Sequence, residues 1–232
     1  MAMKQSLLHE NISRVRSRLA NAARNANRAD SDIKLIAVSK TKPVDAIREA
    51  FKAGIRDFGE NYVSEGVEKC QQCRSLDITW HFLGPLQSNK TRLVAEHFDW
   101  IHSVDRLKTL TRLNAQRPSD KAPLKVCLQV NIPQEPSKSG VSSPAELTEL
   151  ALAALEFDRL ELCGIMAIPA PTADPSTQLA QFERIASLLN IDAIPPQMRE
   201  LSMGMSADME PAIAAGSTMV RVGTDIFGAR YT

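Results

Sequence analysis

The chain has 232 residues, 44% of them hydrophobic and 24% charged, a balance that excludes a disordered chain, and the absence of any apolar run of spanning length excludes a helical membrane protein. A formal net charge of +1 and an aromatic content of 5% give no bulk attraction to nucleic acid and few stacking platforms, so any basic site must be local. Cys70, Cys73, Cys127 and Cys163 are the only cysteines, and His9, His81, His97 and His102 the only histidines. Only Cys70 and Cys73 are close, no second pair stands at zinc-site spacing, and four free thiols in a reducing compartment are expected. The N-terminal MAMKQSLLHENISRVRSRLA is charged and amphipathic and lacks the apolar centre of a signal peptide, which makes a cytoplasmic protein the expectation.

In chain order, an amphipathic helix over about residues 4–26 comes first. Then β-rich runs (KLIAVS, RDFG, TWHFLG, WIHSV, LKVCLQVN, LELCGIMAI, MRELSMG, TMVRVG) alternate with stretches of helical spacing (PVDAIREAFKAG, NYVSEGVEKC, KTRLVAEHF, DRLKTLTRLNAQ, PAELTELALAALE, TQLAQFERIASLLN, SADMEPAIAAG). This alternation predicts an α/β fold, a (β/α)8 TIM-type barrel over residues 1–232 as one domain with an extra N-terminal helix. An open doubly wound sheet shares the alternation, but the count of eight strands favours the barrel. Pro43 and Pro144 are expected in the first turns of helices, Gly54 and Gly216 as C-terminal caps, and the Pro-rich IPAPTADPS as a loop.

Barrel strands deliver their C-terminal ends to one mouth, so the strand exits form the short list of functional residues. Lys40 ends KLIAVSK on the face shared by Ile36 and Val38, and Lys42 returns to that face if the chain stays extended. A lysine near pKa 10.4 is neutral in only about one molecule in 2,500 at pH 7, so a nucleophilic amine needs desolvation or a neighbouring cation, which Lys42 could supply. The plain alternative is an exposed loop lysine with its stem packed down.

In LSMGMSADM, Ser202 ends a strand, Gly204 permits close backbone approach, and Ser206 with Asp208 opens a helix. Hydroxyls beside helix-start N–H groups make an anion pocket, after strands seven and eight, where barrels often bind phosphate. A capped turn is the plain alternative, and the spacing is not that of a nucleophile elbow. In MVRVGTDIFG, Arg221 lies in an apolar strand and needs a partner, either a carboxylate on a neighbouring strand or a ligand, and Gly223 and Thr224 add an N–H and a hydroxyl. FGENYV and WHFLGPLQSNK contribute Asn61 and His81 toward the mouth. His81 could equally be a hydrogen-bonded core histidine, and Glu60 could pair with a basic neighbour.

These blocks, with VNIPQEPSKSG and GIMAIP in fixed order through nearly the whole chain, resemble the pyridoxal phosphate homeostasis protein family, whose fold is similar to the barrel domain of bacterial alanine racemase. The resemblance implies that Lys40 carries pyridoxal 5′-phosphate (PLP) as a Schiff base. It implies that the phosphate lies against Ser202, Gly204, Ser206, Gly223 and Thr224, that Arg221 approaches the pyridine nitrogen, and that Asn61 and His81 wall the site.

Two classes of function follow. One is a PLP carrier without turnover, a monomer supplying apo PLP-dependent enzymes. The other is a PLP-dependent amino-acid racemase, which needs acid/base groups on both faces of the α-carbon. Lys40 can serve one face. The second base of alanine racemase is a tyrosine in a context involving an additional β domain, for which a chain ending at Thr232 is expected to leave no room. Tyr62 and Tyr231, the only tyrosines, have no context that recommends them. An arginine at the pyridine nitrogen would also weaken the ring as an electron sink, so the carrier is the expectation. A pure interaction protein would leave Lys40 unmodified.

Overall fold

The computed structural model describes residues 2–131 and 139–228. Eight parallel strands close in sequence order into a barrel: β1 (Lys34–Val38), β2 (Asp57–Glu60), β3 (Thr79–Phe82), β4 (Trp100–Val104), β5 (Leu124–Val130), β6 (Leu160–Ala167), β7 (Glu200–Ser202) and β8 (Met219–Val222). Between them run α2 (Val44–Lys52), α3 (Val63–Gln72), α4 (Thr91–His97), α5 (Leu107–Gln116), α6 (Pro144–Ala154), α7 (Pro175–Ala186) and α8 (Met209–Ala214). α1 (Ala2–Asn25) precedes β1, and a short α9 (Thr224–Phe227), absent from the sequence expectation, follows β8. Among the described residues no helix is long and apolar enough to cross a membrane.

Strands covered on both faces need apolar residues at consecutive positions, which explains runs such as LKVCLQV. Outward side chains such as Phe58, Phe82, Ile101, Leu128 and Val220 pack under Ile47 of α2, Leu110 and Leu113 of α5, and Phe182 of α7. Each such burial contributes roughly 1.5–3 kcal/mol relative to an exposed position. The barrel interior has its own apolar cluster of Ile36, Leu83, Trp100, Cys127, Cys163, Met166 and Met219. Ile36, His81, Cys127 and Ser202, each fully buried and each from an alternate strand, fill its middle in the layered manner of such barrels. All four cysteines are buried free thiols.

α1 buries Ile12, Val15, Leu19, Ala22 and Ala23, a three-and-four spacing that gives one apolar stripe, and packs on α2, α8 and α9. It ends with Asn27 at φ 54° and the Arg28 N–H on the Ala23 carbonyl at 2.9 Å, a left-handed cap that satisfies a late helix carbonyl. Pro144 takes the first-turn position behind the Ser143 cap. Pro43 stands one residue earlier than expected, as the N-cap of α2. Gly54 and Gly216, at φ 88° and 99°, terminate α2 and α8.

The β3 exit lies directly on the β2 exit. A Cβ on Gly84 would fall 2.0 Å from the Asn61 carbonyl oxygen, and Ser103 Oγ holds the Gly84 carbonyl from the other side at 2.6 Å. Gly84→Ala is therefore expected to lower unfolding free energy in urea by about 1–3 kcal/mol; an unchanged midpoint would contradict this packing.

Candidate functional site at the C-terminal mouth of the barrel

Lys40 follows β1 in a turn that the surroundings fix on both sides. The Lys42 N–H closes on the Ser39 carbonyl at 3.0 Å, and Thr41 sits at φ 62°, a conformation that costs a β-branched residue of order 1–3 kcal/mol and needs external support. That support is a buried ammonium. Lys69 Nζ donates to the Ser39 carbonyl at 2.7 Å, to Glu60 Oε1 at 2.9 Å and to Glu65 Oε1 at 2.6 Å. Glu65 Oε1 also accepts the Thr41 N–H at 2.6 Å, and Ser39 Oγ donates to Glu60 Oε1 at 2.6 Å. The backbone on either side of half-buried Lys40 is thus held by α3 and β2. Glu60, expected to find a basic neighbour, has one in Lys69. Burial pushes the Glu60 carboxyl above its usual value, and the Lys69 charge opposes that shift.

The tight turn also redirects Lys42. Instead of continuing along the strand face, its Nζ meets the carbonyls of Phe227 and Gly228 at 3.1 and 3.0 Å, where a cation complements the C-terminal end of α9.

Barrel closure sets the other wall. β1 pairs with β8 through Ala37 and Val222 and with β2 through Val38 and Gly59, so the Lys40 turn is flanked by Gly223–Thr224 and by Asn61. A Cβ on Gly223 would lie 3.2 Å from the Val38 carbonyl oxygen. Gly204, at φ 93°, accepts the Arg221 N–H at 3.0 Å, which joins the β7 exit to β8. Thr224 begins α9 rather than ending a strand, so early N–H groups of that helix lack intrahelical partners. Ser206 lies in a turn. Asp208 precedes α8 without capping it by its side chain, and its Oδ1 accepts the Met205 N–H instead. Arg18 of α1 ties both loops together, with Nη2 on the Ser206 carbonyl at 3.0 Å, Nε on Glu210 at 2.8 Å and Nη1 on Asp225.

Arg221 has oxygen partners but no carboxylate of the kind expected. Its Nη1 donates to both the carbonyl and the hydroxyl of Ser202, the latter at 2.8 Å, and Nη2 donates to the Ala167 carbonyl at 2.9 Å. Three of its five N–H donors are thereby used. Burial draws its pKa down to about 10, with Asp208 opposing, so it stays charged at neutral pH.

Two expected mouth residues lie deeper. Ser202 Oγ is fully buried and engaged with Arg221 and with His102 Nδ1 at 2.8 Å, so its hydroxyl is not presented to the mouth. His81 is also fully buried, between His102 at 3.0 Å and Asp57 at 2.9 Å. Inward positions of β3 start one step below the mouth, which makes His81 a core histidine. Burial lowers His81 and lowers His102 well below 6.5. The sequence reading missed Asp57, His102, Lys69 and Glu65. Strand alternation was the available signal for Asp57, which shares the parity of Gly59 and Asn61.

The site fits a small polar, anionic group on two observations. Asn61 Oδ1 is buried without a hydrogen-bond partner among the described residues, which calls for a ligand or water. The N–H groups that open α9 at the β8 exit have no hydrogen-bond partner among the described residues and stand beside the same mouth as Lys40. Tyr231 and the IPQEPSK segment (residues 132–138) lie outside the described residues.

The fold and mouth define a barrel of the alanine racemase N-terminal domain class, whose family model matches residues 11–231. The chain is 54% identical over 224 residues to the Pyridoxal phosphate homeostasis protein of Escherichia coli (strain K12), covering 95% of each, and it belongs to the pyridoxal phosphate homeostasis protein family. It is also similar to PipY of Synechococcus elongatus PCC7942, solved with PLP bound: the TM-score is 0.79 at 36% identity, over 95% of this chain and 100% of that one. Alanine racemase from E. faecalis superposes with a TM-score of 0.72 at 18% identity, over 98% of this chain and 58% of that one, a likeness of fold.

Two outcomes follow from the buried charges. Lys69→Met is expected to cost about 3–5 kcal/mol at pH 7, because Glu60 is left without its cation. With Glu60 raised further, the folded state holds a proton the unfolded chain has released, so the variant loses stability as pH rises above the usual carboxylate range more steeply than the parent. For the histidines the sign is opposite. As pH falls below about 6.5 the unfolded chain takes up protons that the folded one refuses, and stability drops. His102→Gln should flatten that acid slope in urea titrations at pH 7 and pH 5.

Proposed function

We propose that this chain binds pyridoxal 5′-phosphate reversibly through Lys40 Nζ, as a Schiff base, and acts in PLP homeostasis as a monomeric cytoplasmic carrier without turnover. The observation that carries the reading is the juxtaposition at the barrel seam. Lys40, in a strained and clamped turn, neighbours Gly223 and Thr224 across the β1–β8 pair. The relative solved with PLP bound, at 36% identity, supports PLP as the ligand.

When bound, the cofactor supplies an aldehyde that condenses with a primary amine and releases water. The residues of this chain hold and orient it. The backbone of Gly204 and Gly223, with Ser206 and Thr224, receives the phosphate, whose charge suits the unpaired N–H groups at the start of α9. Arg18 holds the Ser206 and Asp225 segments at a fixed separation. Arg221 keeps an Nη2 proton and Nε–H for the pyridine nitrogen and, remaining charged, does not give up a proton to it. Asn61 turns its unpartnered amide oxygen Oδ1 toward the ligand. Ser202 and His81 act from behind Arg221 and do not touch the ligand.

The carrier is favoured over an amino-acid racemase by what faces Lys40. Racemization needs a second proton-transfer group; Tyr62 is 51% exposed, and the neutral histidines are sealed below the mouth. The likeness to alanine racemases carries fold alone. A reversible covalent hold suits supply of the cofactor to apo PLP-dependent enzymes.

The purified protein is expected to be yellow, to show the cofactor's mass on the Lys40 peptide after hydride reduction, and to lose both in Lys40→Ala. A colourless protein that ignores added PLP would end the reading. Loss of optical activity from L-alanine in proportion to protein would replace it with the racemase.

A further inference from the structure

Four hydrogen bonds inside the barrel join end to end. Asp57 Oδ1 lies 2.9 Å from His81 Nε2, and His81 Nδ1 lies 3.0 Å from His102 Nε2. His102 Nδ1 lies 2.8 Å from Ser202 Oγ, which lies 2.8 Å from Arg221 Nη1. Two ends of the row have only one possible role, since a carboxylate accepts and a guanidinium donates. His81 must therefore carry its proton on Nε2. A neutral His81 then accepts at Nδ1, so His102 also carries its proton on Nε2 and accepts the Ser202 hydroxyl proton at Nδ1. That turns the Ser202 lone pairs toward Arg221. Every bond in the row points from the guanidinium to the carboxylate.

Asp57 opens β2 at the N-terminal end of the barrel, where Lys34 Nζ stands 3.7 Å away and the aspartate side chain is 19% exposed. Arg221 is two residues from the mouth glycine Gly223. We propose that Asp57 is the positioning residue for Arg221, acting across the barrel through His81, His102 and Ser202 as a relay of fixed tautomers. Without the carboxylate the proton of His81 can move to Nδ1. His102 would then present its Nδ1–H to Ser202, whose oxygen would face two donors while its own proton lost its acceptor. Arg221 would be held less firmly. The effect on PLP rests on the function proposed above; the relay itself does not.

The test uses the full chain labelled with 15N-histidine, with His9 and His97 replaced by glutamine so that two imidazoles remain. In the protein without cofactor, both are expected as neutral Nε2–H tautomers. Asp57→Ala is expected to move His81 toward Nδ1–H, whereas Asp57→Asn, which keeps an acceptor oxygen, retains the parent pattern. PLP titrations followed by absorbance should show affinity weakened about three- to tenfold in Asp57→Ala, the loss of one hydrogen bond's worth of positioning, with a shifted band, and parent behaviour restored in Asp57→Asn. A proton on Nδ1 of either histidine in the parent, or a charged imidazole at pH 7, overturns the relay, and this reading stands even if Asp57→Ala fails to fold. Altered tautomers with unchanged PLP affinity overturn the positioning role. If the parent takes up no PLP, the proposed function fails, and the parent tautomers alone decide the relay.

Discussion

The pairing of β8 with β1 is the constraint on which the site depends. It joins the first strand of the chain to the last, through Lys34 with Met219 up to Ala37 with Val222, and so places Lys40 beside residues more than 180 positions later. In an open sheet the same strands would deliver these groups to opposite edges. Parallel strands buried on both faces have strong reason to close, since closure removes two edges whose N–H and C=O groups would otherwise lack partners.

Around that seam, polar groups in the interior are arranged as matched rows. Lys69, Glu60, Glu65 and Ser39 sit between barrel and helix α3 and fix the Lys40 turn from outside. Asp57, His81, His102, Ser202 and Arg221 cross the barrel itself and hold Arg221 from below. Such groups would be costly to bury singly; in rows that end on opposite charges, every link of the row joins a donor to an acceptor. They contribute less to net stability than the surrounding apolar clusters and more to which geometry the mouth adopts. The Glu60 oxygen Oε2 and the Asn61 oxygen Oδ1 are buried exceptions, without partners among the described residues. Both belong to the β2 exit.

The N-terminal helix has a part in the site although it contributes nothing to the sheet. Its apolar stripe seats it on α2, α8 and α9, and from that seat Arg18 reaches Ser206, Glu210 and Asp225 and Asn11 reaches the Ile226 carbonyl, while Arg28, just past the helix end, reaches the carbonyls of Ile213 and Ser217. The loops after β7 and β8 are short and glycine-bearing, suited to close approach by a ligand and correspondingly in need of outside support. Helix α1 provides it across the seam where the chain closes on itself.

Much of this was legible along the chain. Apolar runs, helical periods and glycine or proline punctuation are local consequences of burial and backbone sterics, so the strand and helix order, the mouth position of Lys40 and the glycines of the last two exits could be read directly. The fate of individual polar side chains could not. His81 and Ser202 are expected at the mouth as strand exits and Lys42 on parity, yet the first sits a step deeper, the second has its hydroxyl in the interior, and the third is turned away by Thr41. His102, Asp57 and Lys69 gave no local signal strong enough to join the site. The sequence by itself determined the repeating strand–helix order and which residues leave each strand, because these depend on neighbours within a few positions. Only the tertiary structure decided which polar atoms meet, because hydrogen-bond partners are set to a few tenths of an ångström by strand register and barrel shear, and these exist only once the sheet has closed.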